Sequence, residues 1–130
     1  CTNNSIRSQM AEGPLRRLQG DAFDVFSAGT YPTQVNPRAI QVMKEVGIDI
    51  SDQSSKSMDE FVDQQIDVVV TVCDRARETC PLFPNSKHNI HHSFTDPSSR
   101  GFSEDEKLDS FRKTRDEIKH WLEKIFPLET

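Results

Sequence analysis

The chain has no apolar run long enough to cross a membrane, and no charged-then-apolar leader of the kind that directs export. Both absences lead us to expect a cytoplasmic protein with no membrane partner. It has no surplus of positive charge: 16 Lys and Arg against 21 Asp and Glu leave a formal net charge of −5. A nucleic-acid-binding domain needs clustered basic residues, so that class is set aside as the main task, and an anion site here has to be positive locally. It also lacks the even set of cysteines that a disulfide framework needs. There are three, which without an export signal points to reduced thiols in redox or catalytic roles. No internal repeat or low-complexity linker divides it. The 130 residues therefore read as one domain, 1–130, long enough to bury a core.

What the chain does have is concentrated at its start. Cys1-Thr2-Asn3-Asn4-Ser5-Ile6-Arg7-Ser8 sets a cysteine, five intervening residues, then an arginine and a serine. Small and polar residues let a loop turn its backbone N–H groups inward as a nest for an oxyanion. Arg7 adds a planar, bidentate fork for phosphate-like oxygens. Ser8-Gln9-Met10-Ala11-Glu12 reads as the opening of a helix whose positive end faces the same anion. That field favours a thiolate at Cys1. Thr2, Asn3, Asn4, Ser5, Ile6, Arg7 and Ser8 are the candidate oxyanion cradle, and Cys1 the candidate nucleophile. A Cys and an Arg at this spacing also arise by chance, so a polar loop with an incidental thiol is the plain alternative.

Along the chain, a helix is expected over about residues 8–18, with Met10, Ala11, Leu15 and Leu18 on one face and Gly20 as its stop. Pro14 is compatible with it only near the helix start, since an interior proline costs about 3 kcal/mol. Residues 24–29 read as a short strand. Asn36-Pro37 is a cap followed by a first-turn proline; it opens a helix carrying Ala39, Ile40, Val42, Met43 and Val46, which Gly47 ends. Residues 58–62 read as a brief helix. Val68-Val69-Val70-Thr71-Val72-Cys73 is a β-branched run of the kind buried on both faces in a parallel sheet. Residues 89–94 form a weaker strand, from which Thr95-Asp96-Pro97 turns away. A last helix starts between Ser103 and Glu106, with Leu108, Phe111, Ile118, Leu122 and Ile125 at helical spacing and Trp121 at the edge of the core. Strands alternating with helices predict an α/β, three-layer domain with a central parallel sheet of about four strands flanked by helices. A loop that cradles an anion before a helix normally follows a strand. The strand expected before Cys1 is missing from the sequence as given.

These segments together resemble the low-molecular-weight phosphotyrosine phosphatase fold, and more closely the thioredoxin-coupled arsenate reductases. The resemblance covers nearly the whole chain. It rests on residues 1–13, Ser27-Ala28-Gly29, residues 35–40, residues 47–51, residues 67–73, Cys80-Pro81 and Phe94-Thr95-Asp96-Pro97. The loop and the Asp-Pro are common to the phosphatases, whereas the pair Cys73-x6-Cys80 resembles the reductases specifically. The chain departs from the pattern in three places. Asn3 stands where the loop usually has glycine, and asparagine tolerates the left-handed conformation better than most residues. Ile6 stands where a further loop cysteine is common. Some members hold a potassium ion. Asn4, Glu12 and Ser27 match its ligands, but Lys56 stands where an acidic one is expected, so no metal is assigned and an ammonium can take the cation's role.

The resemblance implies a reaction. The Cys1 thiolate attacks the arsenic of arsenate, with Arg7 and the loop amides holding the oxygens and Asp96 as general acid to the departing oxygen. Cys73 then attacks the sulfur of Cys1 and arsenite leaves. Cys80 attacks Cys73, and thioredoxin reduces the resulting Cys73–Cys80 disulfide. A disulfide requires the two Cα atoms within about 7 Å, whereas residues seven apart lie about 10 Å apart along a helix. The 74–79 segment must therefore loop out on oxidation if it is helical in the reduced form. No cofactor is called for, and a monomer is expected.

Plainer readings exist for each residue. Cys73 can be a buried thiol at a strand end, Cys80 an idle loop thiol and Asp96 a turn former. His91 and His92 fall on opposite faces of a strand, which argues against their forming a metal site with His88; His120 reads as an exposed helical residue. Two other functions compete. Phosphatases of this fold usually carry tyrosines after the Asp-Pro as a wall for an aryl substrate. Here Ser98-Ser99 stand there, and Tyr31 is the one tyrosine. The alternative is thus a low-molecular-weight protein tyrosine phosphatase without that wall, weak phosphatase activity being compatible with the shared loop. The third reading is a non-catalytic oxyanion-binding or redox-regulatory domain.

Overall fold

The computed structural model describes residues 4–20, 22–61, 63–72, 86–99 and 103–126, apart from the side chains of Gln19 and Ser99. Cys1, Thr2, Asn3, Cys73 and Cys80 lie outside the described residues, as does any loop between the last two. Helix α1 spans Arg7–Gln19, α2 Pro37–Lys44 and α3 Glu104–Ile125; strand β1 spans Ile66–Thr71 and β2 Ser86–His91, with short 3-10 turns at Met58–Glu60 and Pro97–Ser99.

Local chemistry accounts for the helix ends. Asn36 caps α2 by accepting from the Arg38 N–H at 2.8 Å, and Pro37 takes the first turn. Gly47, at φ +78°, closes it: the Ile48 N–H donates to the Met43 carbonyl and the Gly47 N–H to the Lys44 carbonyl. That is the paired C-terminal motif which a left-handed glycine permits. Ser103 caps α3 by accepting from the Glu106 N–H, and three acids occupy the first turn. Helix α1 runs straight through Pro14, which is its eighth residue and lies well past the start. The expectation of a proline near the helix start is therefore corrected. The ring removes one donor, and Met10, Gly13 and Pro14 itself are buried along this helix.

The strands β1 and β2 are parallel, in register from Ile66 opposite Ser86 to Thr71 opposite His91. Both start earlier than their residue pattern suggests, and Phe94 has left the sheet to pack in the core beside Trp121. Among the described residues the sheet has these two strands, against the four expected. Residues 24–28 form no strand, and Gly29 makes one isolated bridge to Ser57. A strand is registered only where it has a hydrogen-bonding neighbour. Instead, residues 22–29 and β1 line a cavity of about 460 Å³. For the same reason Val68, Val69 and Val70 are half-buried where full burial was expected.

The core joins all three helices. Met10 of α1, Val42 and Met43 of α2, and Phe111, Ile118 and Leu122 of α3 are almost fully buried, together with Ile50, Val72 and Phe94. Bidentate Arg38–Glu104 and Arg112–Glu45 pairs tie α2 to α3. Arg115 reaches between the two helices to the Val42 carbonyl and to Glu45, both at 2.8 Å.

Candidate active site

The start of α1 differs from the other two helix starts. Ile6, its N-cap residue, makes no side-chain cap, whereas Asn36 and Ser103 cap the other two, and like that of α2 its first turn holds no acid. The helix therefore presents its positive end without a built-in anion. Arg7, the first residue of the helix, is buried, with 6% of its surface exposed. One guanidinium nitrogen donates to the Phe94 carbonyl at 3.2 Å, and another lies 4.0 Å from an Asp96 carboxylate oxygen. The carbonyl contact fixes the plane of the fork. It also ties the start of α1 to the chain leaving the carboxyl end of β2, the side on which sites of parallel α/β sheets form.

Asp96 performs two tasks with its two oxygens. Oδ1 accepts from both the N–H and the hydroxyl of Ser98, at 2.9 and 2.7 Å, and so shapes the turn that starts at Pro97. Oδ2 faces Arg7. The turn-former and acid readings of this residue are thus compatible, and each uses a different atom.

Beneath the loop is a polar cluster. Asn4 is fully buried at φ +47°, a left-handed conformation, so the described loop residue that adopts it is Asn4, next to the Asn3 for which it was anticipated. Its amide donates to Ser8 Oγ at 2.8 Å, and its Oδ1 accepts from the Lys56 N–H and from Gln9 Nε2. Gln9, also fully buried, donates to the Asn4 and Ser54 carbonyls, while Gln53 donates to its oxygen and to its carbonyl. Glu12 is buried, accepts from the Ser27 hydroxyl at 2.7 Å, and meets Arg16 at 3.1 Å and Lys56 at 3.7 Å. Ser5 adds a backbone link, its carbonyl accepting from the Asn36 N–H. Of the cradle candidates, Asn4, Ser5, Ile6, Arg7 and Ser8 are therefore brought together with Asp96.

Reading the residues missed Gln9, Gln53 and Ser54. Glutamine is ordinarily a surface residue, and no periodicity marks a buried pair. No face pattern marked Gln9, which stands on the side of α1 away from Met10, Ala11, Leu15 and Leu18. At the carboxyl ends of the strands, Thr71 Oγ1 and His91 Nδ1 share a 2.6 Å hydrogen bond, while His92 stacks on Phe94. His120 is exposed. Among the described residues, no group of three His, Cys, Asp or Glu side chains is set to hold a metal.

A buried arginine at an uncapped helix start thus faces the Asp96 turn on a parallel α/β frame. The chain belongs to the low molecular weight phosphotyrosine protein phosphatase family, whose model matches residues 1–129. Within that family it is 48% identical over 118 residues to the arsenate reductase of Halalkalibacterium halodurans, covering 91% of this chain and 85% of that protein. A solved arsenate reductase in its phosphate binding state superposes with a TM-score of 0.80 at 34% identity, over 97% of this chain and 92% of the other. The thioredoxin-dependent arsenate reductase of Corynebacterium glutamicum superposes at 0.66 and 25% identity, over 96% of this chain and 58% of that longer one.

Proposed function

We propose that this protein reduces arsenate to arsenite and is recycled by thioredoxin. The observation that carries the reading is 48% identity, across 91% of the chain, to an arsenate reductase. The buried Arg7 beside an uncapped helix start supports an oxyanion substrate.

In the reaction, Arg7 and the loop amides of residues 2–8 hold the arsenate oxygens. The Cys1 thiolate bonds to arsenic, and an arsenic–oxygen bond breaks as Asp96 gives a proton to the departing oxygen, which leaves as water. Cys73 then attacks Sγ of Cys1. The electron pair of the sulfur–arsenic bond stays on arsenic, which departs as arsenite, and the two sulfurs are oxidised to a disulfide. Cys80 attacks Cys73 and returns Cys1 as thiolate. The Cys73–Cys80 disulfide takes two electrons from the thioredoxin dithiol. The protein acts as a cytoplasmic monomer without a bound cofactor.

The phosphatase reading rests on the shared loop and fails to supply an aryl slot: Ser98 is exposed where the wall would stand, and Tyr31 is 73% exposed. A coupled assay with thioredoxin, thioredoxin reductase, NADPH and arsenate separates the two. NADPH oxidation requiring both arsenate and thioredoxin is expected. Hydrolysis of an aryl phosphate without arsenate-dependent oxidation would assign the phosphatase instead.

A further inference from the structure

Some members of the family hold a potassium ion beside the loop, at ligands that Asn4, Glu12 and Ser27 match here. The residues present do not fit one. The Lys56 ammonium donates to the Ser54 carbonyl at 2.7 Å and lies 3.7 Å from Glu12 Oε1, the oxygen that also takes the Ser27 hydroxyl. A second cation there would face a fixed positive charge and find its oxygens already in use. Glu12's other oxygen meets Arg16, whose side chain is 53% exposed, whereas that of Lys56 is 20% exposed.

We propose that the Lys56 ammonium is the built-in counter-cation of the oxyanion loop, in place of a diffusible metal ion. It acts as a positioning residue for Asn4. Two routes lead from Lys56 to that residue. Its backbone N–H holds Asn4 Oδ1 at 2.8 Å. Its ammonium holds the Ser54 carbonyl, which also accepts from Gln9 Nε2, and that same nitrogen grips the carbonyl and side-chain oxygens of Asn4. The left-handed turn of Asn4, the residue from which the loop approaches Ile6 and Arg7, is thereby tied to a charge carried by the chain. The plainer view is a partly exposed ion pair of small consequence. The two views differ in what a soluble cation does once the ammonium is removed.

The inference rests on the oxyanion reading of the loop, so the test reads inorganic phosphate binding by calorimetry, which needs no turnover. Wild type, Lys56→Ala and Lys56→Met are compared in potassium chloride, methylammonium chloride and tetramethylammonium chloride at equal ionic strength, with thermal midpoints recorded in parallel. Wild type is expected to bind phosphate equally in all three salts. Lys56→Ala is expected to bind about tenfold more weakly in tetramethylammonium and to recover in potassium or methylammonium, the size usual for coupling between two sites. Lys56→Met, which fills the space without charge, is expected to weaken and not recover. Reciprocity adds that phosphate should tighten potassium binding to Lys56→Ala by the same factor. Potassium-selective tightening in wild type would overturn the proposal. So would wild-type affinity of Lys56→Ala in tetramethylammonium, or a loss in Lys56→Ala that no cation restores. Failure of wild type to bind phosphate in any salt would overturn the oxyanion reading itself, and this inference with it.

Discussion

At the scale of single residues, the proposed chemistry falls to Arg7 and Asp96. Arg7 donates through a fork whose plane is set by the Phe94 carbonyl. Arg7→Lys keeps the charge and loses the fork, so kcat/KM for arsenate should fall about a hundredfold, as when one oxyanion donor is lost. A change below threefold would remove Arg7 from the oxyanion site. Asp96→Asn is the sharper test of the acid, because asparagine keeps an oxygen to accept from Ser98 and so keeps the turn. The thermal midpoint should barely move, while the first chemical step slows by about a hundredfold or more. Unchanged kinetics would leave Asp96 as a turn residue only. The arginine at the loop's end and the helix behind it were suggested by short-range spacing; Asp96 as an acid came only with the family resemblance, since the residues alone read as a turn. The Gln9–Gln53–Ser54 network was not legible in the sequence, because it joins residues 44 and 45 positions apart through hydrogen bonds that no local pattern records.

Helix placement depends on close approach and on ion pairs between elements. A Cβ at Gly13 would sit 2.7 Å from Ile50 Cγ2 and 3.0 Å from Ile48 Cγ2, so α1 packs on that segment only with glycine there. Gly13→Ala should destabilise the fold by about 1–3 kcal/mol, read as a lower denaturant midpoint with an unchanged slope. Between α2 and α3, hydrogen bonding from Arg112, and then from Arg115, lowers the Glu45 carboxyl below its ordinary range. A depressed folded value means that the stabilisation is complete above the unfolded pKa and is lost as pH falls through the folded one. The thermal midpoint of wild type should therefore exceed that of Glu45→Gln near neutral pH, and the gap should close below about pH 4. A gap that persists in acid would show that the charge is not what Glu45 contributes. At this scale the ends of α2 were readable in Asn36-Pro37 and Gly47, because caps are local. The 24–29 strand was not realised, because a strand is made by its neighbour, and a cavity flanks this one. The helix expected over 8–18 is present, and it carries Pro14 well inside it and not near its start.

At the scale of the whole molecule, the start of α1 meets the chain that leaves the carboxyl end of β2. The chain runs from Thr71 through Val72 toward Cys73, and Arg7 binds the segment that follows β2. The central claim is that three thiols, and not one, work in sequence. The most direct measurement is arsenite produced by Cys80→Ser, with arsenate in excess and with thioredoxin, thioredoxin reductase and NADPH present. The account predicts one arsenite per chain in a single burst and then no steady turnover, because the Cys1–Cys73 disulfide forms and cannot be passed on. Continued turnover at the wild-type rate would contradict it, and would mean that thioredoxin reduces an earlier disulfide or that Cys80 stands outside the cascade.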